Sequence, residues 1–114
     1  MKVSIGDNFG LGDALLCPKC NGDYLHHDNI AVFNRREDAE MVRKTAIEGG
    51  LVSVASVENK TSGNPSGRRD GLSIDFWCET CGDAESDEVI REYKRLHILQ
   101  HKGNTFLRWE IIKN

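Results

Sequence analysis

The only cysteines in the chain form two matched pairs: Cys17-Pro18-Lys19-Cys20, followed by Asn21-Gly22, and Cys78-Glu79-Thr80-Cys81, followed by Gly82. A glycine one or two places beyond the second cysteine predicts a turn through positive φ, which aims backbone N–H groups back at the sulfurs. Four thiolates from two such turns complete a tetrahedral zinc site and leave no position open for water or substrate. The chemistry expected of Cys17, Cys20, Cys78 and Cys81 is therefore the holding of one structural zinc ion.

Two other uses of the cysteines fit less well. Disulfides need an oxidising compartment, and Met1-Lys2-Val3-Ser4-Ile5-Gly6-Asp7 lacks the apolar core of a secretory signal, which points to a cytoplasmic setting. A thioredoxin-like redox site would open a helix, whereas Asn21-Gly22 turns the chain. The 57 residues between Cys20 and Cys78 exceed the ~15–20 of a compact ribbon. Loop-closure entropy grows only slowly with length, so a body of structure in the interval can still bring the turns together.

The remaining candidates are histidines, arginines and rings. His97 and His101 would share a strand face, and with His26 or His27 could form a second metal site or an acid–base pair. Histidines hydrogen-bonded within a sheet are the commoner outcome. Arg68-Arg69 could grip a phosphate in bidentate fashion, although Asp70 stands beside them to neutralise one. Trp77, Tyr93 and Trp109 could stack on bases if exposed, but in a chain of eight aromatics such rings usually pack inside. No nucleophile has an evident base beside it, which leans against an enzyme.

These residues must be positioned by strands. Alternation predicts strands at 24–33, 51–57, 72–78, 93–101 and 105–112, with a short one at Lys2–Ile5. Leu72, Ile74, Phe76 and Cys78 alternate with Ser73, Asp75 and Trp77 and run straight into the second cysteine turn. Lys102-Gly103-Asn104 predicts a hairpin between the last two strands. Residues 35–48 suggest a short helix with Ala39, Val42, Ala46 and Ile47 as its stripe, ended by Gly49-Gly50, which would serve equally as a hairpin turn. The stretch Asn59–Asp70 has no apolar residue and is expected to be an exposed, mobile loop. The whole is a mainly β chain, an elaborated zinc ribbon spanning 1–114 as one domain with a large insertion between its knuckles.

Composition excludes the extremes. Charged residues make up 29% and hydrophobic ones 39% of the 114 residues, so the chain is neither a disordered polyelectrolyte nor a membrane span. The net charge of −3 argues against attraction to nucleic acid over the whole surface but allows a local patch. Acids Glu79, Asp83, Glu85, Asp87 and Glu88 crowd the second cysteine turn, whereas Arg91, Lys94, Arg95, Lys102, Arg108 and Lys113 dominate residues 89–114.

Several runs resemble a known group. Cys17-Pro18-Lys19-Cys20 with Tyr24-Leu25-His26-His27, Asn64-Pro65-Ser66-Gly67-Arg68-Arg69-Asp70-Gly71, Phe76-Trp77-Cys78-Glu79-Thr80-Cys81 and Leu96-His97-Ile98-Leu99-Gln100-His101-Lys102-Gly103 are similar to small uncharacterised zinc-ribbon-like proteins of actinobacteria and their phages. The resemblance implies zinc binding through the cysteines and supplies no catalytic residue. The function expected is a non-enzymatic zinc-ribbon module that contacts nucleic acid through a basic hairpin and the arginine loop, with Arg68, Arg69, His97, His101 and Lys102 as its candidate contacts. The alternative is a small protein-interaction factor, such as a phage-encoded inhibitor or modulator, that acts on a host protein through the acidic segment 79–88.

Overall fold

The structure, a computed structural model, describes residues 12–83 and 92–113. The strand expected at Lys2–Ile5, Phe9 and Leu11 of the opening loop and residues 84–88 of the acidic segment lie outside those residues. The elements are β1 (Leu25–Asn34), β2 (Met41–Glu48), β3 (Leu51–Glu58), a one-turn helix α1 (Asn59–Ser62), β4 (Gly71–Cys78), β5 (Glu92–His101) and β6 (Asn104–Lys113). All six strands form one antiparallel sheet in the order β3-β2-β1-β4-β5-β6. The insertion between the cysteine pairs is thus a three-stranded meander, β1-β2-β3, which returns over itself before β4 pairs with β1.

The segment expected as a helix is a strand. In 41–48 the β-branched Val42, Thr45 and Ile47 favour a pleated surface over a helix. Gly49 and Gly50 both adopt positive φ, 58° and 79°, which is the backbone of a two-residue hairpin turn matched to strand twist. Lys102 and Gly103 repeat the device with φ of 49° and 83°, so the second hairpin loop has two residues, and Asn104 already pairs with His101.

Register sorts the side chains into two unlike faces, because directly opposed residues of antiparallel neighbours share a face. One row across all six strands reads Val52, Ile47, Ile30, Ile74, Leu96, Trp109, and the next reads Val54, Thr45, Val32, Leu72, Ile98, Leu107. The opposite face carries Ser53, Ala46, Ala31, Ser73, His97 and Arg108 in a matching row. A bulge between His27 and Ile30 adds one residue to β1, so His27 and Ile30 both lie on the apolar side. The sheet is a single layer, and its radius of gyration of 15.2 Å exceeds the about 13 Å of a compact chain this long. Accordingly the buried apolar set among the described residues is small: Cys17, Phe33, Val42, Cys78 and Leu96.

The connection 59–70 is not the open loop that its composition suggests. It folds across the polar face, over Phe33, and is pinned by its own polar atoms. The Ser66 hydroxyl, 1% exposed, donates to Gln100 O at 2.7 Å and accepts from the N–H groups of Arg68 and Arg69. Asn64 donates to Asn59 Oδ1 and to Arg69 O. A Cβ on Gly71 would lie 2.7 Å from Pro65 Cδ and meet the Asn64 side-chain oxygen, so the turn seats on the strand only because glycine begins it. Gly71→Ala is expected to cost about 1–3 kcal/mol by overpacking and to open Arg68 and Arg69 to trypsin. The unaltered protein should resist cleavage there under the same conditions.

Candidate metal centre and the basic end of the sheet

The metal centre forms where β1 begins and β4 ends. Leu25 pairs with Cys78, and Glu79 N donates to Tyr24 O at 3.1 Å, so the strand pairing carries the two cysteine turns to one corner. In the first turn Cys17 N donates to Gly22 O and Asn21 N to Cys17 O, each at 2.9 Å. The positive φ of 61° falls on Asn21, which tolerates it, and not on Gly22. Gly22 serves close approach instead, because a Cβ there would lie 2.9 Å from Thr80 Oγ1 in the opposite turn. In the second turn Gly82 takes φ 71° as the spacing predicts.

The four sulfurs lie within 4.8 Å of one another, with Cys17 to Cys81 at 3.8 Å and Cys20 to Cys78 at 3.6 Å. A disulfide would require ~2.05 Å, and all four thiols are free. Sulfurs ~2.3 Å from a tetrahedral ion stand ~3.8 Å apart. The cysteines are therefore positioned to bind one metal ion. Backbone N–H groups of Lys19 and Gly22 point at Cys17 and Cys20 at 3.4 and 3.3 Å, the arrangement that supports metal-bound thiolates.

The thiols of the cluster differ in acidity. The Gly22 N–H draws the Cys20 thiol down to about 7. Burial pushes Cys81 up to about 12 and raises Cys78 as well. Without a cation the buried corner thus keeps its protons, and coordination must expel them.

A buried ion network, which sequence patterning missed, links the two turns. Lys94 Nζ, with its side chain fully buried, lies 2.8 Å from both oxygens of Asp83 and 3.1 Å from Glu92. Asp83 Oδ2 also accepts from Cys78 N at 2.7 Å. Glu92 in turn meets Lys19 of the first turn at 3.1 Å. Burial acts to lower the Lys94 ammonium, but Asp83, Glu92 and the nearby Cys81 outweigh it and raise its affinity for the proton. Lys19 first, then Lys94, hold the Glu92 carboxyl below its ordinary range. The signal in the sequence was Lys94 itself, a charged residue in the alternating register of Leu96 and Ile98, where only a paired charge can stay.

The histidines do not gather. His26 stacks on Trp77, with ring centroids 4.0 Å apart, and meets Glu79 at 2.6 Å. His97, 4% exposed, bridges three strands, with Nδ1 at 2.7 Å from Ser73 Oγ and Nε2 at 2.8 Å from Glu110 Oε1. His101 lies at the far end against Phe106. Among the described residues the cysteines form the one group of potential ligands close enough to share an ion.

Of the residues singled out as nucleic-acid contacts, the structure brings four to the end of the sheet remote from the cysteines. Gln100 N donates to Asp70 O, which sets Arg68 and Arg69 beside the strand that leads to His101 and Lys102. Arg68 is engaged with Glu37 at 2.8 Å and Asp38 at 3.4 Å, while Arg69 is exposed. His97 stands apart from these four, inside the sheet. Trp109 meets Phe76 edge-on at 5.9 Å on the apolar face.

Lys94→Ala would strand Asp83 beside the cysteines and is expected to cost about 3–5 kcal/mol. Lys19→Ala, at a half-exposed pair, should cost under about 1 kcal/mol, and urea titration of both variants checks the contrast. Because Cys78 and Cys81 hold protons at neutral pH in the absence of metal, binding should release about two protons or more. Apparent metal affinity therefore rises with pH and falls on acidification, which calorimetry in buffers of different ionisation enthalpy will show.

Compared with protein-family models, with curated proteins and with solved structures, the chain finds no match in any of the three.

Proposed function

We propose that the protein is a non-enzymatic, zinc-ribbon-like binding module, with one structural zinc at Cys17, Cys20, Cys78 and Cys81 and a nucleic-acid contact at the opposite end of the sheet. The observation that carries the metal is the near-tetrahedral spacing of four sulfurs from two turns. Zinc suits an all-thiolate tetrahedron that needs no redox chemistry. The resemblance of the sequence runs around the cysteines to small zinc-ribbon-like proteins of actinobacteria and their phages would imply the same metal. The nucleic-acid part rests on Arg69, His101 and Lys102, which share the remote end and make no ion pair among the described residues. Phosphate would replace solvent around charges that the protein leaves uncompensated.

A second reading, a protein-interaction factor, is favoured by a different observation. Leu51, Val52 and Val54 are 78%, 64% and 60% exposed on the edge strand β3, and edge strands with apolar side chains readily pair with another chain.

The test combines elemental analysis with a salt series. One zinc per chain is expected, and Cys78→Ser should leave the protein unfolded, because structural zinc contributes ~10–16 kcal/mol against a net domain stability of ~5–15 kcal/mol. Affinity for a labelled oligonucleotide should fall steeply with salt. Arg69→Ala/Lys102→Ala should flatten that slope by about one to two units without lowering the melting temperature. Metal-free protein that melts cooperatively would overturn the structural zinc. Absence of binding at low salt would overturn the nucleic-acid role in favour of a protein partner.

A further inference from the structure

A groove of about 540 Å3 opens at the remote end of the apolar face, where the rows of aliphatic side chains give way to charge. Four arginines line it, Arg35, Arg36, Arg43 and Arg69, with Asp70 the one acidic residue beside them among the described residues, and Met41 lies among them. The elements that converge there are distant in sequence. Arg35 and Arg36 begin the β1–β2 connection, Arg43 lies on β2 opposite Asn34, and Arg69 arrives from the connection before β4. Two backbone bonds hold the parts in place: Asp38 N donates to Arg68 O at 2.8 Å and Arg35 N to Asp70 Oδ1 at 2.7 Å. The second bond turns the one carboxylate toward the backbone.

Like charges do not assemble in this way without cost. Arg68, the neighbour just outside, shows the usual solution, since Glu37 and Asp38 neutralise it. Arg36, Arg43 and Arg69 have no such partner among the described residues. Arg35 adds a more specific observation. Its Nε donates to Ala39 O at 2.6 Å, which fixes the guanidinium, and its Nη1 is buried with no acceptor among the described residues. Buried donors are almost always satisfied, and a charged one left alone costs more than a neutral one. A guanidinium held on one side and unpaired on another, in a groove that three further arginines line, suits an anion with several acceptor oxygens. Phosphate meets that requirement, because guanidinium forks match its oxygens in bidentate geometry. Among the described residues no aromatic ring lines the groove, so the site can hold phosphate groups but offers no platform there on which a base would stack.

We infer that this groove is a phosphate-binding site for a polyphosphorylated ligand, and that in the nucleic-acid reading above, on which its ligand source rests, it holds the sugar-phosphate backbone without reading the bases. Arg35, Arg36 and Arg43 thereby join Arg69 as contacts, and they extend the basic end from the β5–β6 hairpin across to β2.

The test uses the full, metal-loaded chain and the triple variant Arg36→Gln/Arg43→Gln/Arg69→Gln, whose sites are exposed. Arg35 is left intact because its contact with Ala39 O helps hold the connection. Two probes are titrated by fluorescence anisotropy and calorimetry at low salt: a mixed-sequence single-stranded oligonucleotide and inorganic tripolyphosphate. For the oligonucleotide the triple variant should bind at least ~10-fold more weakly, with its salt slope lowered by about two units at ~0.7 per lost phosphate contact, while its melting temperature matches the parent. Oligonucleotides of different base composition should bind the parent within a few-fold of one another. If the parent binds the oligonucleotide and the triple variant binds it equally well, the groove is overturned while the nucleic-acid reading survives. If tripolyphosphate alone binds, and only to the parent, the groove stands as a phosphate site and the nucleic-acid source is overturned. If neither probe binds the parent, both inferences fall.

Discussion

The pairing of β1 with β4 is the constraint on which the rest of the structure depends. These strands leave and enter the two cysteine turns, and their register, Leu25 opposite Cys78, makes the sulfurs meet. The meander inserted between the turns is therefore no obstacle to a shared metal site. It builds the sheet that aligns them, and hydrogen bonds along β1 and β4 meet the closure cost that a flexible loop would impose. Once the corner is formed, Lys94 and Asp83 complete it from β5 and the end of the second turn. The ammonium is held by carboxylates next to the thiols, so a balanced ion network ties β5 to both cysteine turns.

A single-layer sheet has little interior, and here the deeply buried residues are mostly those near the cysteines or under the connection that crosses Phe33. This explains why several polar groups are buried with full partners. Lys94, His97, Ser66 and Ser73 are placed where a thicker protein would put aliphatic side chains, and each is satisfied by a neighbouring strand or loop. Satisfied polar contacts of this kind specify register more strictly than aliphatic packing does, because a slip would leave each group unpaired. The two faces differ in their central rows, mostly aliphatic on one side and mostly polar on the other.

The two ends are as different as the faces. One end holds the cysteines and the Lys94 network, and the other holds Arg69, Lys102 and the arginine groove. Between them runs β4, eight residues long, or ~25 Å. That is several times the ~8 Å screening length at physiological salt. Charge at one end therefore has little influence on the other, and a metal staple can stabilise the sheet without altering what its far end attracts.

The sequence by itself determined the parts whose cause is local. Two cysteine turns of matched spacing, alternating runs such as 72–78, and glycines in hairpin loops each depend on a few neighbouring residues, so the cluster and most strands were legible in it. Residues 41–48 were ambiguous because a weak helical stripe and a β-branched alternation coexist there, and pairing with β1 and β3 decided between them. Tertiary structure alone decided the rest. The polar stretch 59–70 looked free because its anchor, Gln100, lies 34 positions from Ser66. Lys94 looked like one more surface lysine until the fold supplied Asp83 and Glu92. Arg35, Arg36 and Arg43 were spread along the chain among acids numerous enough to balance them. The fold gave Glu37 and Asp38 to Arg68 and left the other arginines around one groove, and no reading of neighbours in sequence reports which charges neighbour each other in space.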